Sequence, residues 1–184
     1  MTPPDTTPPD RTRRNRADEP PSQPAFVEHD HHACSGRALE HAERMVREAG
    51  LRLTPVRRRT LEILLEEHRA LGAYDVLARL AEDGFGNQPP VAYRALDYLV
   101  EKGLAHRIRR LNAFAACMAP GHEGAPVFLI CGECGCVAEL PAEDIAGRLA
   151  AAAGGVGFSV ERLSIEAKGT CPSCRDNAGG RTCP

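Results

Sequence analysis

The chain holds 184 residues, 42% of them hydrophobic and 26% charged, with a formal net charge of −2. This is enough apolar material for a buried core, but no apolar run reaches the ~18 residues of a membrane-spanning helix. Aromatics make up 4% and Trp is absent, so the core must be aliphatic; a basic excess falls on the middle third, the part best suited to an anionic partner, between acidic flanks.

Residues 1–36 read as a disordered tail. Its prolines and charges come with few large apolar side chains, too little to offset the entropy of ordering. Arg11, Arg13, Arg14 and Arg16 suit a phosphate backbone, though a solvated tail is the simpler reading, and the acids Asp5 and Asp10 argue against a mitochondrial transit peptide. His29, Asp30, His31, His32 and Cys34 are metal-ligand types crowded into this segment. An ion there has to order a flexible chain, so weak or adventitious zinc binding is expected.

Residues 37–118 read as a helical domain with a terminal hairpin. Leu39, Ala42, Met45 or Val46, and Ala49 give a helical stripe that Gly50 ends. Thr54-Pro55 predicts the next start, Thr as N-cap and Pro at the first helical position, with Leu61, Leu64 and Leu65 inside up to about Glu67. A third helix spans Ala73 to Asp83 on Val76, Leu77 and Leu80. A fourth follows Asn87-Gln88-Pro89-Pro90, buries Ala92, Ala95, Leu96, Leu99 and Val100, stops at Gly103, and turns Tyr93, Arg94 and Asp97 to solvent. Two strand-like pieces, Leu104–Arg110 and Ala113–Cys117, then complete a winged helix-turn-helix pattern.

Residues 119–125 read as a hinge and residues 126–176 as a small α/β domain. In it, Val127–Ile130 and Val137–Leu140 predict strands, Pro141 opens a helix through about Ala153, and Gly157–Ala167 alternates as a third strand. Residues 177–184 read as a flexible tail with Cys183 a free thiol. The fold class is therefore α+β.

Two Cys-x-x-Cys pairs, Cys131/Cys134 and Cys171/Cys174, carry the strongest local signal, and turn-forming neighbours flank both. Four thiols in two close pairs are what a closed tetrahedral structural zinc site needs. Two disulfides are the competing reading, disfavoured because no secretory signal is visible and cytosolic thiols stay reduced. A thioredoxin-like site needs one such pair at a strand–helix junction, not two.

Several runs agree in order with a known family. Leu53-Thr54-Pro55-Val56-Arg57, Ala73-Tyr74-Asp75-Val76-Leu77, Pro89-Pro90-Val91-Ala92-Tyr93-Arg94-Ala95-Leu96-Asp97, Cys131-Gly132-Glu133-Cys134-Gly135 and Ile165 to Cys174 together resemble the ferric uptake regulator family, over residues 38–175. Within it, the chain is most similar to the zinc uptake regulator branch. Iron and peroxide sensors of the family carry a His-His-Asp-His type cluster before the first cysteine pair. Here that stretch reads His122-Glu123-Gly124-Ala125-Pro126-Val127-Phe128, and the position expected to supply a further His is Leu163. A softer, thiolate-containing site suits zinc better.

The resemblance implies a zinc-responsive homodimeric repressor that binds inverted-repeat operators of zinc-uptake genes in the cytoplasm, with two Zn²⁺ per subunit, no membrane partner and no enzymatic activity. Cys131, Cys134, Cys171 and Cys174 would hold structural zinc, and His106, Cys117, His122 and Glu139 regulatory zinc. These four come from both domains and the hinge, so one ion would fix the interdomain angle. Plainer roles stay open: His106 on phosphate, Cys117 as a small core residue, Glu139 merely exposed, and Cys136 as a buried hydrophobe or substitute ligand.

For DNA, Arg94 suits a bidentate contact to guanine. Tyr93 and Tyr74 suit base-edge or backbone contacts, with partial core packing as the alternative. Arg57, Arg58, Arg107, Arg109 and Arg110 suit phosphates. An iron or peroxide sensor, or a zinc-ribbon protein-interaction module, are the competing functions.

Overall fold

A computed structural model of the protein describes residue 26 and residues 30–121, 126–141, 143–161 and 163–176. Arg11, Arg13, Arg14, Arg16, His29, His122 and Cys183 lie outside the described residues. The first helix, α1 (His31–Glu48), opens inside the stretch read from the sequence as tail. The cause is local: the Asp30 carboxylate accepts the Ala33 N–H at 3.1 Å and caps the first turn. Cys34, Ala38, Ala42 and Val46 then recur every fourth residue as a buried stripe. Gly36 sits within the helix rather than before it.

Helix α2 (Pro55–Leu65) starts at the predicted proline, although Thr54 makes no side-chain capping bond. Helix α3 (Ala73–Glu82) begins where Asp75 accepts the Gly72 N–H at 3.1 Å. Helix α4 (Pro89–Glu101) packs on both, burying Ala92, Ala95, Leu96 and Leu99. Ala92, Leu96 and Leu99 join Leu61, Ile63, Val76, Leu80 and Leu104 in the aliphatic core that the composition requires. Strands β1 (Ala105–Ile108) and β2 (Ala113–Ala116) pair antiparallel as the wing. They are shorter than predicted because a 3₁₀ turn, Arg109–Leu111, takes up the tip and Asn112 closes it at φ 48°. Leu71, between α2 and α3, exchanges backbone hydrogen bonds with Phe114 and ties the wing to the helices.

The C-terminal part contains β3 (Pro126–Cys131), β4 (Val137–Pro141), α5 (Glu143–Gly155), β5 (Ile165–Gly169) and α6 (Pro172–Asp176). The sheet order is β4-β3-β5, with β3 antiparallel to β4 and parallel to β5. Two expectations are corrected here. Pro141 ends β4 instead of opening the helix, which starts at Glu143. The third strand is confined to Ile165–Gly169, because only those residues find a partner on β3, and Phe158, within the stretch expected as strand, is 65% exposed.

The two parts meet along the wing. Ile108 and Ala115 of the wing pack with Phe128, Ile130 and Val137 of the sheet, joined by Ala70. Across the sheet, Phe128 lies opposite Glu139 on one side and Glu166 on the other. This single row, carboxylate–ring–carboxylate, supplies the polar contacts that hold the wing.

Candidate metal centres and nucleic-acid interface

Cys131 ends β3, Cys134 follows the turn after it, and Cys171 and Cys174 flank the start of α6. Folding brings the four sulfurs within 4.8 Å of one another. The Cys134 and Cys171 Sγ atoms lie 3.8 Å apart, and a zinc–sulfur bond of about 2.3 Å gives a tetrahedral S–S edge of about 3.8 Å. Cys131 Sγ accepts the Cys171 N–H, and Cys171 Sγ accepts the Cys174 N–H. Burial raises the Cys131 pKa, but N–H donors of Cys134, Cys171 and Glu133 outweigh it and hold the thiol below its ordinary value. Cys134 is pushed up, first by burial, and Cys174 first by its hydrogen bond to Cys171. The Cys131 thiolate thus forms readily while Cys134 and Cys174 resist, a resistance that a dication would offset.

The second cluster sits at the joint. His106 comes from β1, Cys117 from the end of β2 and Glu139 from β4, with ligand atoms again within 4.8 Å of one another. His106 Nε2 lies 3.2 Å from Glu139 Oε1. It is nevertheless a buried nitrogen without a well-aligned hydrogen bond among the described residues. Such an orphan, aimed at a thiol and a carboxylate, fits a metal ion. Cys117 Sγ is 3.8 Å from Glu139 Oε1, and the Met118 N–H donates to Glu139 Oε2 at 3.3 Å. The His106 ring packs on Phe128, its centroid 5.1 Å away. Three of the four residues expected for this site therefore converge, and the fourth, His122, lies outside the described residues.

Burial and the adjacent Glu139 carboxylate push the Cys117 thiol far up, so it is protonated at neutral pH in the metal-free protein. An incoming ion must displace that proton. Zinc binding here is therefore expected to release at least one proton and to weaken about tenfold for each unit fall in pH per proton released. Zinc titration in weak buffer with a pH indicator measures the release. An affinity that stays flat between about pH 6 and 8 contradicts it.

On the nucleic-acid side, α4 presents Tyr93 and Arg94 to solvent, and α3 presents Tyr74, 68% exposed. The core-packing alternative for the two tyrosines is thereby set aside; Tyr98 is the α4 tyrosine that packs against the core. Arg57 stacks on Tyr98 with its guanidinium 3.6 Å from the ring centroid, and Arg58 is paired with Glu43 and Glu62. Arg107 bonds Asn112 at the wing tip, and Arg109 and Arg110 point out from it.

Sequence reasoning missed Glu166. Its two carboxylate oxygens accept the backbone N–H groups of Arg109 and Arg110 at 2.8 and 2.9 Å. This bidentate grip pins the wing tip to β5 as Glu139 pins the wing base to β4. The residue lay within a quoted motif, but nothing in the pattern distinguished it from a solvent-facing acid.

Comparisons with known proteins agree with this geometry. A model of the ferric uptake regulator family matches residues 48–168. The zinc uptake regulation protein of Escherichia coli (strain K12) is 35% identical over 139 residues, covering 74% of this chain and 80% of its own. A solved structure of a zinc uptake regulator complexed with zinc and DNA superposes with a TM-score of 0.73 at 32% identity, over 77% of this chain and 95% of that one. The crystal structure of holo XcZur gives 0.69 at 34% identity, over 76% and 97%.

Proposed function

The chain belongs to the ferric uptake regulator family, and on that premise we propose that it is a zinc-responsive repressor, binding inverted-repeat operators of zinc-uptake genes when its regulatory zinc site is filled. The carrying observation is the convergence of His106 and Cys117 from the wing on Glu139 from the β4-β3-β5 sheet. An ion held by donors of both domains is a strut whose presence sets their angle. With His122 as a fourth ligand the shell is closed, with no open position for a substrate. Cys131, Cys134, Cys171 and Cys174 hold a second, permanent ion, so the structural and regulatory roles together take two ions per subunit.

The reading extends to partners. The exposed edge of α4 enters the major groove, with Arg94 on guanine and Tyr93 and Tyr74 beside it; Arg107 and Arg109 of the wing lie on phosphates. Arg57, stacked face-on over Tyr98, keeps its in-plane N–H donors for a phosphate. A twofold homodimer matches an inverted repeat with half-sites ~34–36 Å apart or a multiple of it. Ile145, Leu149, Val156 and Phe158 leave an apolar face of the C-terminal domain uncovered, with Val156 83% exposed, which a second copy would bury. Among the described residues no helix is long and apolar enough to cross a membrane. DNA as partner and reduced thiols as ligands suit the cytoplasm.

Arg94→Ala tests the DNA assignment. It is expected to cost about 1–3 kcal/mol of operator binding and to relax preference for guanine at one position in each half-site. Fluorescence anisotropy against the operator and a guanine-substituted copy measures both. An unchanged affinity at several salt concentrations sinks the placement of α4 in the groove.

A further inference from the structure

A third group of metal-ligating side chains lies apart from both clusters above: His31, Cys34 and His68. His31 and Cys34 share one face of the first turn of α1, three residues apart. His68 lies on the connection between α2 and α3. Packing of α1 against α2 brings His31 Nδ1 to 3.1 Å from His68 Nε2, with Cys34 Sγ 3.4 Å from the first nitrogen and 3.7 Å from the second. Zinc bonds of about 2.0 Å to nitrogen and 2.3 Å to sulfur give tetrahedral edges of about 3.3 Å between nitrogens and about 3.5 Å between nitrogen and sulfur. The three edges match a triangular face of such a shell.

A second observation concerns the imidazole of His31. Its Nε2 lies 2.8 Å from the carbonyl oxygen of Glu66. A carbonyl only accepts, so the proton sits on Nε2 and the lone pair of Nδ1 points at the other two donors. A backbone carbonyl on the far nitrogen is the usual way in which a ligating histidine is oriented. Asp30 does not compete for an ion, because its carboxylate is engaged in capping the helix.

We propose that His31, Cys34 and His68 form a third zinc site, which fastens the start of α1 to the joint between the domains. Two imidazoles and one thiolate are a zinc-type donor set. A fourth donor would complete the tetrahedral shell. The carbonyl of His68 accepts the N–H of Val137 at 2.9 Å, and Arg69 pairs with Cys136 just ahead of β4. An ion on His68 therefore steadies the segment that abuts the strand carrying Glu139. His31 and Cys34 lie outside residues 48–168, the part that the family model matches, and His68 lies within it. It also revises the expectation of weak binding in a flexible tail, since α1 has already ordered two of the three ligands.

The test measures zinc per protomer in the full-length protein, by plasma mass spectrometry, across a series of chelator-buffered free Zn²⁺ concentrations. Wild type is compared with Cys34→Ala and with His68→Gln, the second because Cys34 is buried and its loss can disturb folding. Each variant is expected to hold one zinc fewer than wild type at submicromolar free metal, with far-UV circular dichroism unchanged. Cobalt-loaded wild type should show a one-thiolate charge-transfer component that both variants lose. Equal zinc content in all three proteins overturns the proposal. So does a difference confined to millimolar zinc, which is an adventitious ion only.

Discussion

Replacing Cys131 by serine is expected to leave the C-terminal domain unfolded at room temperature while the winged helix keeps its helical signal. The domain is small: its apolar contacts with the wing rest on Phe128, Ile130 and Val137, and its other buried cluster is the cysteines themselves. A unit of about 50 residues seldom buries enough apolar surface to fold alone. A structural zinc site contributes roughly 10–16 kcal/mol in comparable small domains, at or above the 5–15 kcal/mol that a whole domain usually retains. Cys131 closes the end of β3 and Cys171 follows β5, so an ion held by the proposed four-cysteine site would fasten the open end of the central strand pair, where Gly132 N–H also bonds the Gly169 carbonyl at 2.8 Å. The expected readouts are loss of one zinc per protomer, loss of one cooperative transition in calorimetry, and rapid proteolysis after residue 121. Retained zinc and an unchanged Tm would remove the staple from this account.

What the sequence made legible follows from what is local. The two cysteine pairs sit in turns, so spacing alone points to one cluster, and the four sulfurs do converge within 4.8 Å. The buried faces of α2, α3 and α4 follow from helical period, and Pro55 and Pro89 mark starts because proline lacks the donor that a first turn does not use. What escaped was tertiary. His68 gains meaning only when α1 lies across α2. Glu166 gains it only when β5 takes its place beside β3 and reaches Arg109 and Arg110. The stacking of Arg57 on Tyr98 is likewise a tertiary contact that the pattern does not show. Pro141 was misplaced because a proline that can open a helix can equally end an edge strand, where its missing N–H has no partner to lose.

Cys117→Ser is expected to abolish the zinc response of operator binding while leaving a folded protein. The residue is buried, but it is small, lies away from the four-cysteine cluster, and exchanges sulfur for oxygen with little change in volume. Without an ion the joint is held by contacts that do not need the thiolate: Met118 N–H to Glu139, Arg109 and Arg110 N–H to Glu166, and Val137 N–H to the His68 carbonyl. These set a resting geometry. A zinc ion drawing His106, Cys117 and Glu139 onto one centre replaces a neutral thiol and an acceptor-only carboxylate by bonds of fixed length and angle, and so biases the wing relative to the sheet. The bias appears as coupling, typically 1–3 kcal/mol, or about 5–150-fold in operator affinity between zinc-poor and zinc-replete buffer. Coupling is reciprocal, so operator DNA should tighten zinc binding at this site by the same factor in wild type and not at all in the variant. Anisotropy titrations at fixed free zinc give the first quantity and chelator competition with and without DNA gives the second. If Cys117→Ser still gains affinity with zinc, the cluster is not the sensor. If instead it unfolds as Cys131→Ser does, the division between a permanent and a responsive ion fails.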